Sequence, residues 1–170
     1  GKGFIEYLRN KFHIPVVFEN DINAAVRGYC TSNQYEDKKV VAIYIPIKHP
    51  LGVGTFINGD VYKGKDGFAG EAKYLPDGIK WRDPDFVSKN IVSAIENLII
   101  TFTCLLNPDH IVIYRENLEQ GDIPPILEKC KEVIDRKMLP QVTVSKEFTT
   151  DFANGIKQIA LGLLETEWKA

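Results

Sequence analysis

Two carboxylates, Asp21 and Glu71, carry most of the chemistry this sequence offers. Asp21 follows the apolar run Val16-Val17-Phe18, opened by Pro15, and precedes Ala24, Ala25 and Val26 in a segment expected to be helical. Asn20 or Asp21 can cap that helix, which is expected to end near Gly28. An acid between the carboxyl end of a strand and the amino end of a helix stands where ligands collect in open α/β sheets. The plainer reading of Asp21 is a helix cap, and the two readings are compatible. Glu71 is delivered by Gly67-Phe68-Ala69-Gly70, where glycine gives up side-chain packing for space beside a ligand or another strand. One carboxylate can accept hydrogen bonds from two neighbouring hydroxyls at once. Its plainer reading is a solvated surface acid. Asn20 offers an amide, and Gly67 a backbone N–H, to the same ligand.

The elements that must position these groups are legible from periodicity. The stretch Leu51 to Pro76 holds six of the thirteen glycines and reads as two short strands joined by Asn58-Gly59, a type I′ hairpin turn. A looser turn follows at Lys65-Asp66-Gly67. Upstream, Phe4, Ile5, Leu8 and Phe12 recur at helical spacing, and Val40 to Ile47 is a near-continuous apolar strand of the kind covered on both faces. Ser32 to Lys39 is a polar connector and the best candidate for a lobe boundary. After the loop 76–85, Asp83-Pro84 opens a helix whose apolar positions run from Val87 to Leu105, expected to be one element roughly 30 Å long. Asn107-Pro108 stops it. Ile111 to Ile113 and Val142 to Val144 read as strands, and helices are expected from Asp122, through Ile126 and Cys130, and over Phe152 to Leu164.

Composition excludes several classes. Of 170 residues, 44% are hydrophobic and 26% charged, with a formal net charge of −2, which leaves no basic footprint for nucleic acid. Cys30, Cys104 and Cys130 form neither a zinc pattern nor a disulfide framework, so a reducing, cytoplasmic setting is expected. The most apolar run, Ile91 to Leu106, is too short for a membrane span. The sole methionine is Met138, so the chain is expected to be a fragment or a trimmed piece.

Two stretches together resemble the ROK family (repressor, open reading frame, kinase) of the actin-like ATPase and sugar kinase superfamily. Gly52-Val53-Gly54, Asn58-Gly59, Val61-Tyr62, Gly64, Gly67 and Ala69-Gly70-Glu71 match its glycine-rich pattern. Phe18-Glu19-Asn20-Asp21-Ile22-Asn23-Ala24-Ala25 matches its V-E-N-D-x-N-A-A. The resemblance implies an α/β fold, a ribonuclease-H-like (actin-like ATPase) lobe with a mixed five-stranded sheet flanked by helices, which the β-β-β-α-β-α-β-α order also requires. It implies that residues 1–34 are a helix-strand-helix remnant of a first lobe and 35–170 the second, C-terminal lobe. Val16-Val17-Phe18 would then lack sheet neighbours. By the same resemblance, Asp21 is the general base of a kinase, and Asn20, Asp21, Gly67 and Glu71 contact a sugar.

The departures from the family bear on activity. Lys48-His49-Pro50 replaces the family's G-T-G, whose backbone N–H groups wrap phosphate, and Pro50 has none to give. Tyr114-Arg115 stands where the family has a glycine pair beside adenosine. Lys73 and Tyr74 replace the glycine and histidine of E-x-G-H, and the cysteines of the zinc knuckle are absent from residues 75–90. No D-x-G-G-T phosphate motif is present. His13, His49 and His110 are expected at the surface or in caps. The expected function is a sugar-sensing, non-catalytic C-terminal domain of a ROK-type transcriptional regulator, with a small sugar as ligand and a homodimer as the assembly. DNA would be bound only through an N-terminal domain ahead of residue 1. No cofactor and no zinc are expected. The alternatives are a divergent ATP-dependent sugar kinase, needing ATP and Mg and rebuilt around Lys48 and Arg115, or a dimerisation scaffold without ligand.

Overall fold

A computed structural model describes residues 2–76 and 79–167. Residues 77–78 of the expected loop lie outside the described residues. A five-stranded sheet in the order β3-β2-β1-β4-β5 forms the centre. β1 (Val40–Tyr44) pairs antiparallel with β2 (Gly52–Ile57), which pairs antiparallel with β3 (Asp60–Val61). On its other side β1 runs parallel to β4 (His110–Tyr114), and β4 parallel to β5 (Gln141–Ser145). This is the mixed sheet of a ribonuclease-H-like lobe. Asn58 and Gly59 both adopt positive φ (55° and 80°), the type I′ geometry that matches the twist of the flanking strands.

Alternate strand residues feed two apolar layers. Val41, Ile43, Ile111 and Ile113 face α4 (Ile91–Leu106) and α5 (Ile123–Cys130), meeting Ile95, Leu98, Ile99 and Ile126. Val40, Ala42, Val112 and Tyr114 face α2 (Asp21–Asn33), meeting Ile22, Ala25, Val26 and Tyr29. Burial on both faces explains why β1 and β4 read as continuous apolar runs. α6 (Phe148–Glu167) crosses α2 with bare backbone at the contact. A methyl group added to Gly155 would lie 1.8 Å from the Ala24 carbonyl oxygen, and one on Gly28 1.9 Å from that of Asp151.

Four expectations need correction. α2 does not end at Gly28 but continues to Asn33, capped by Gln34 in the left-handed conformation (φ 58°). Gly28 serves helix contact rather than termination. The helix expected over Val87 to Leu105 is two, α3 (Pro84–Lys89) and α4, separated by Asn90 at φ −116°. The Asn90 side chain donates to the Phe86 carbonyl (2.8 Å), offering the backbone an alternative to continuing the helix. Val16 to Phe18, expected as a strand, forms none; it lacks sheet neighbours as the resemblance implied, and Phe18 is 82% exposed, beyond α1 (Lys2–Phe12). His110 is buried rather than on the surface: it pairs with the Tyr29 hydroxyl at 3.0 Å and packs between the rings of Tyr29 and Tyr35. Burial also lowers its pKa. His13, at positive φ, closes α1 through its N–H to the Arg9 carbonyl.

Candidate functional site

The amino end of α2 and the glycine-rich loop meet over the start of β2. Gly54 makes the first approach possible, since a side chain there would come within 2.8 Å of the Ile22 carbonyl oxygen. Gly70, at φ +88°, makes the second: its backbone lies against Val53, whose N–H donates to the Gly70 carbonyl (3.2 Å). Between them lies a pocket of about 410 Å³, of the size that holds a small ligand. Its lining includes Asn20, Asp21, Gly67 and Glu71, so all four residues singled out from sequence reach one cavity although fifty positions separate Asp21 and Glu71.

Each polar group has a definite anchor. Asn20 caps α2 through its Oδ1, which accepts the Ile22 N–H at 3.2 Å; Asp21 Oδ1 accepts the same N–H at 2.8 Å. Its other oxygen carries no hydrogen bond among the described residues and is open to the cavity's contents. A carboxylate is favoured there, because the helix terminus presents unpaired N–H groups and partial positive charge. Glu19, whose side chain is only 9% exposed, holds this turn in place. Its Oε1 accepts the Asn20 backbone N–H (3.1 Å) and the Asn23 amide (3.2 Å), and its Oε2 pairs with Lys63 (2.7 Å) beyond β3. This clamp ties the turn to the hairpin.

Sequence reasoning missed three contributors. Lys73 Nζ pairs with Glu71 Oε2 at 2.7 Å, both side chains being about one-third exposed on the pocket wall. The hydrogen bond to Glu71 raises the Lys73 pKa, so its amine stays protonated at neutral pH. Lys73 was legible as a departure from the glycine of the family pattern, but only the fold shows where its amine points. Glu19 stood inside the V-E-N-D match without a role assigned to it, and Tyr44, which lines the pocket from the end of β1, had no signal. His49 and Pro50 line the pocket too, whereas Lys48 does not.

A second hollow of about 330 Å³ lies at the carboxyl ends of β1, β4 and β5, lined by Tyr44, Arg115, Lys146 and Phe148 among others. Tyr44 stacks on Phe148 with centroids 4.2 Å apart. The Arg115 guanidinium is held by the Ile45 carbonyl and the Ser88 hydroxyl, both at 3.2 Å. Lys146 Nζ donates to the Glu116 carbonyl (2.6 Å) and pairs with Glu119 (3.1 Å). Tyr114 lines the hollow as well, edge-on to Phe148, and its hydroxyl donates to Asp151 at 2.8 Å. Both cations are thus engaged by protein groups. Among the described residues, no group of three His, Cys, Asp or Glu side chains converges to hold a metal ion.

The sequence model of the ROK family matches residues 1–75, the part that contains both halves of the pocket. Over that stretch the chain is similar to the ROK family. The xylose repressor of Bacillus spizizenii is 32% identical over 69 residues, 41% of this chain and 18% of the repressor. The chain spans about a fifth of the length of the curated relatives it matches. Solved ROK structures share the fold. A ROK family transcriptional regulator, a homolog of the E. coli MLC protein, superposes with a TM-score of 0.63 at 21% identity, over 91% of this chain and 54% of that one. A ROK family glucokinase from Streptomyces griseus, in complex with glucose and AMPPNP, gives 0.58 at 15% identity, over 89% and 70%. Both repressors and kinases therefore stand among the proteins to which this chain is similar.

Proposed function

We propose that the pocket between α2 and the glycine-rich loop binds a small sugar, and that the protein is a sugar-sensing, non-catalytic part of a ROK-type transcriptional regulator. The observation that carries this reading is the convergence of Asn20, Asp21 and Glu71 on one cavity while the nearby cations Arg115 and Lys146 are engaged by protein carbonyls and side chains. Asp21 and the free oxygen of Glu71 accept sugar hydroxyls; Lys73 donates to them. The likeness to xylose repressors supports a sugar ligand, with xylose the first to try. The regulatory device would be closure of two lobes around the sugar, shifting a homodimer between forms that bind and release DNA through a domain ahead of residue 1.

Calorimetry on the full-length protein with xylose, glucose and N-acetylmannosamine tests it. One of these sugars is expected to bind, and Asp21→Asn and Glu71→Gln each to weaken it about tenfold or more, since hydrogen bonds to charged groups contribute roughly 1.5–3 kcal/mol. Absence of heat or thermal shift with every sugar would favour a ligand-free dimerisation scaffold.

The position of Asp21 also favours a second reading, a divergent sugar kinase, because a general base must stand at the sugar hydroxyl it deprotonates. A coupled ATPase assay separates the two. Sugar-dependent turnover abolished by Asp21→Asn would establish the kinase.

A further inference from the structure

One wall of the sugar pocket is aromatic. Tyr44 ends β1 on the same sheet face as Val40 and Ala42, and it lines the pocket beside Asn20, Asp21 and Glu71. Its neighbours on the two flanking strands differ. Toward β4 it stands in register with Tyr114, and there its ring stacks on Phe148, with centroids 4.2 Å and planes 14° apart. Phe148 is in turn edge-on to Tyr114 at 5.3 Å, and the Tyr114 hydroxyl is tied to Asp151, so the Tyr44 ring is held in one orientation. Toward β2 its partner in register is Gly52, which has no side chain to cover the ring and lines the same pocket. The Tyr44 hydroxyl has no hydrogen-bond partner among the described residues. It is not one of the two buried side-chain atoms left unpaired there, Arg27 Nε and Trp81 Nε1, so it opens to accessible space. The spaces that Tyr44 borders are this pocket and the hollow at the strand ends.

We propose that Tyr44 is a direct sugar contact and a specificity determinant of the pocket, its hydroxyl donating a hydrogen bond to one oxygen of the bound sugar. The inference rests on the sugar reading of the pocket. The rest of the wall leaves that task open. The carboxylates of Asp21 and Glu71 only accept, and the Lys73 amine is shared with Glu71. A sugar oxygen that accepts, the ring oxygen above all, needs a donor. A phenol already fixed by stacking supplies one without losing side-chain freedom on binding.

The test is calorimetry on the full-length protein, wild type and Tyr44→Phe, with xylose, glucose and N-acetylmannosamine, and then with the ring-thio and monodeoxy analogues of whichever binds. Tyr44→Phe keeps the stack on Phe148 and deletes only the donor. Affinity for the sugar is expected to fall about fivefold, with Tm unchanged. With one analogue, the one whose accepting oxygen is gone, wild type and Tyr44→Phe should bind equally. Undiminished sugar affinity in Tyr44→Phe, or the same loss carried through every analogue, would overturn the contact and leave the pocket standing on Asp21→Asn and Glu71→Gln. Binding of no sugar by the wild type would overturn both.

Discussion

The crossing of α2 and α6 gives a direct stability prediction through Gly28→Ala. Inside an isolated helix this change would stabilise by about 1 kcal/mol, because alanine is the better helix former. Here the new methyl group would sit 1.9 Å from the Asp151 carbonyl oxygen and 2.6 Å from the Gly155 nitrogen, both backbone atoms that cannot rotate away. Restoring ordinary contact at 3.4 Å requires the helices to part by about 1.5 Å. A gap of roughly 0.5–1 Å already forfeits a quarter to a half of each dispersion contact along the crossing. Overpacking costs about 1–3 kcal/mol, and a clash with fixed backbone atoms belongs near the upper end, so packing should outweigh the propensity gain of about 1 kcal/mol by about 2 kcal/mol. For a domain of this size that is a fall in Tm of about 4–8 °C. Gly162→Ala is the control: it lies in α6, the helix that Gly28 packs against, no atom of the described residues stands within 4 Å of its added methyl group, and a small rise in Tm is expected. Thermal denaturation of both variants decides the matter. A Gly28→Ala protein as stable as wild type, or a Gly162→Ala protein destabilised as much, would refute the reasoning. Because α2 begins at Asp21, Gly28→Ala should also weaken sugar binding.

Two further predictions concern buried carboxylates. Glu19→Ala removes the clamp on Asn20 and Asn23 and the pair with Lys63; stability should fall by about 1–3 kcal/mol and sugar affinity by about fivefold or more, read by urea denaturation and calorimetry. Asp151, buried at the α2–α6 contact, has its pKa raised by desolvation, an effect opposed by the hydroxyl of Tyr114 and reinforced by Glu147. A carboxyl whose folded pKa lies above its unfolded value of about 3.9 stabilises most below that value, and this contribution is lost as pH rises through the folded pKa. Asp151→Asn should therefore gain stability relative to wild type as pH rises above about 4, measured as the gap between the two Tm curves. A gap independent of pH would contradict this.

Much of this fold was readable because its signals are local. Asn58-Gly59 could satisfy few conformations other than a tight hairpin, and the apolar runs of Val40 and Ile111 belong to strands sandwiched between helices. The failures were of another kind. Gly28 resembles a helix terminator until its packing partner, 127 positions away at Gly155, is known. Asn90 interrupts an apolar periodicity that runs unbroken through it, because the interruption is made by a side-chain hydrogen bond and not by a change of pattern. His110 looked superficial because its partner, the Tyr29 hydroxyl, comes from a distant helix. In the same way Asp21 and Glu71 could be nominated singly from their surroundings in sequence. Their meeting in one cavity, and the amine that Lys73 brings to it, depend on backbone contacts at Gly54 and Gly70 that only the tertiary structure contains.

The most direct measurement is a titration of the full-length protein with xylose and glucose, each with and without MgATP, followed by assay of ADP. Sugar heat that is lost in Asp21→Asn, is unchanged by MgATP, and is accompanied by no ADP is the predicted result. ADP formed only when sugar is present would contradict the account.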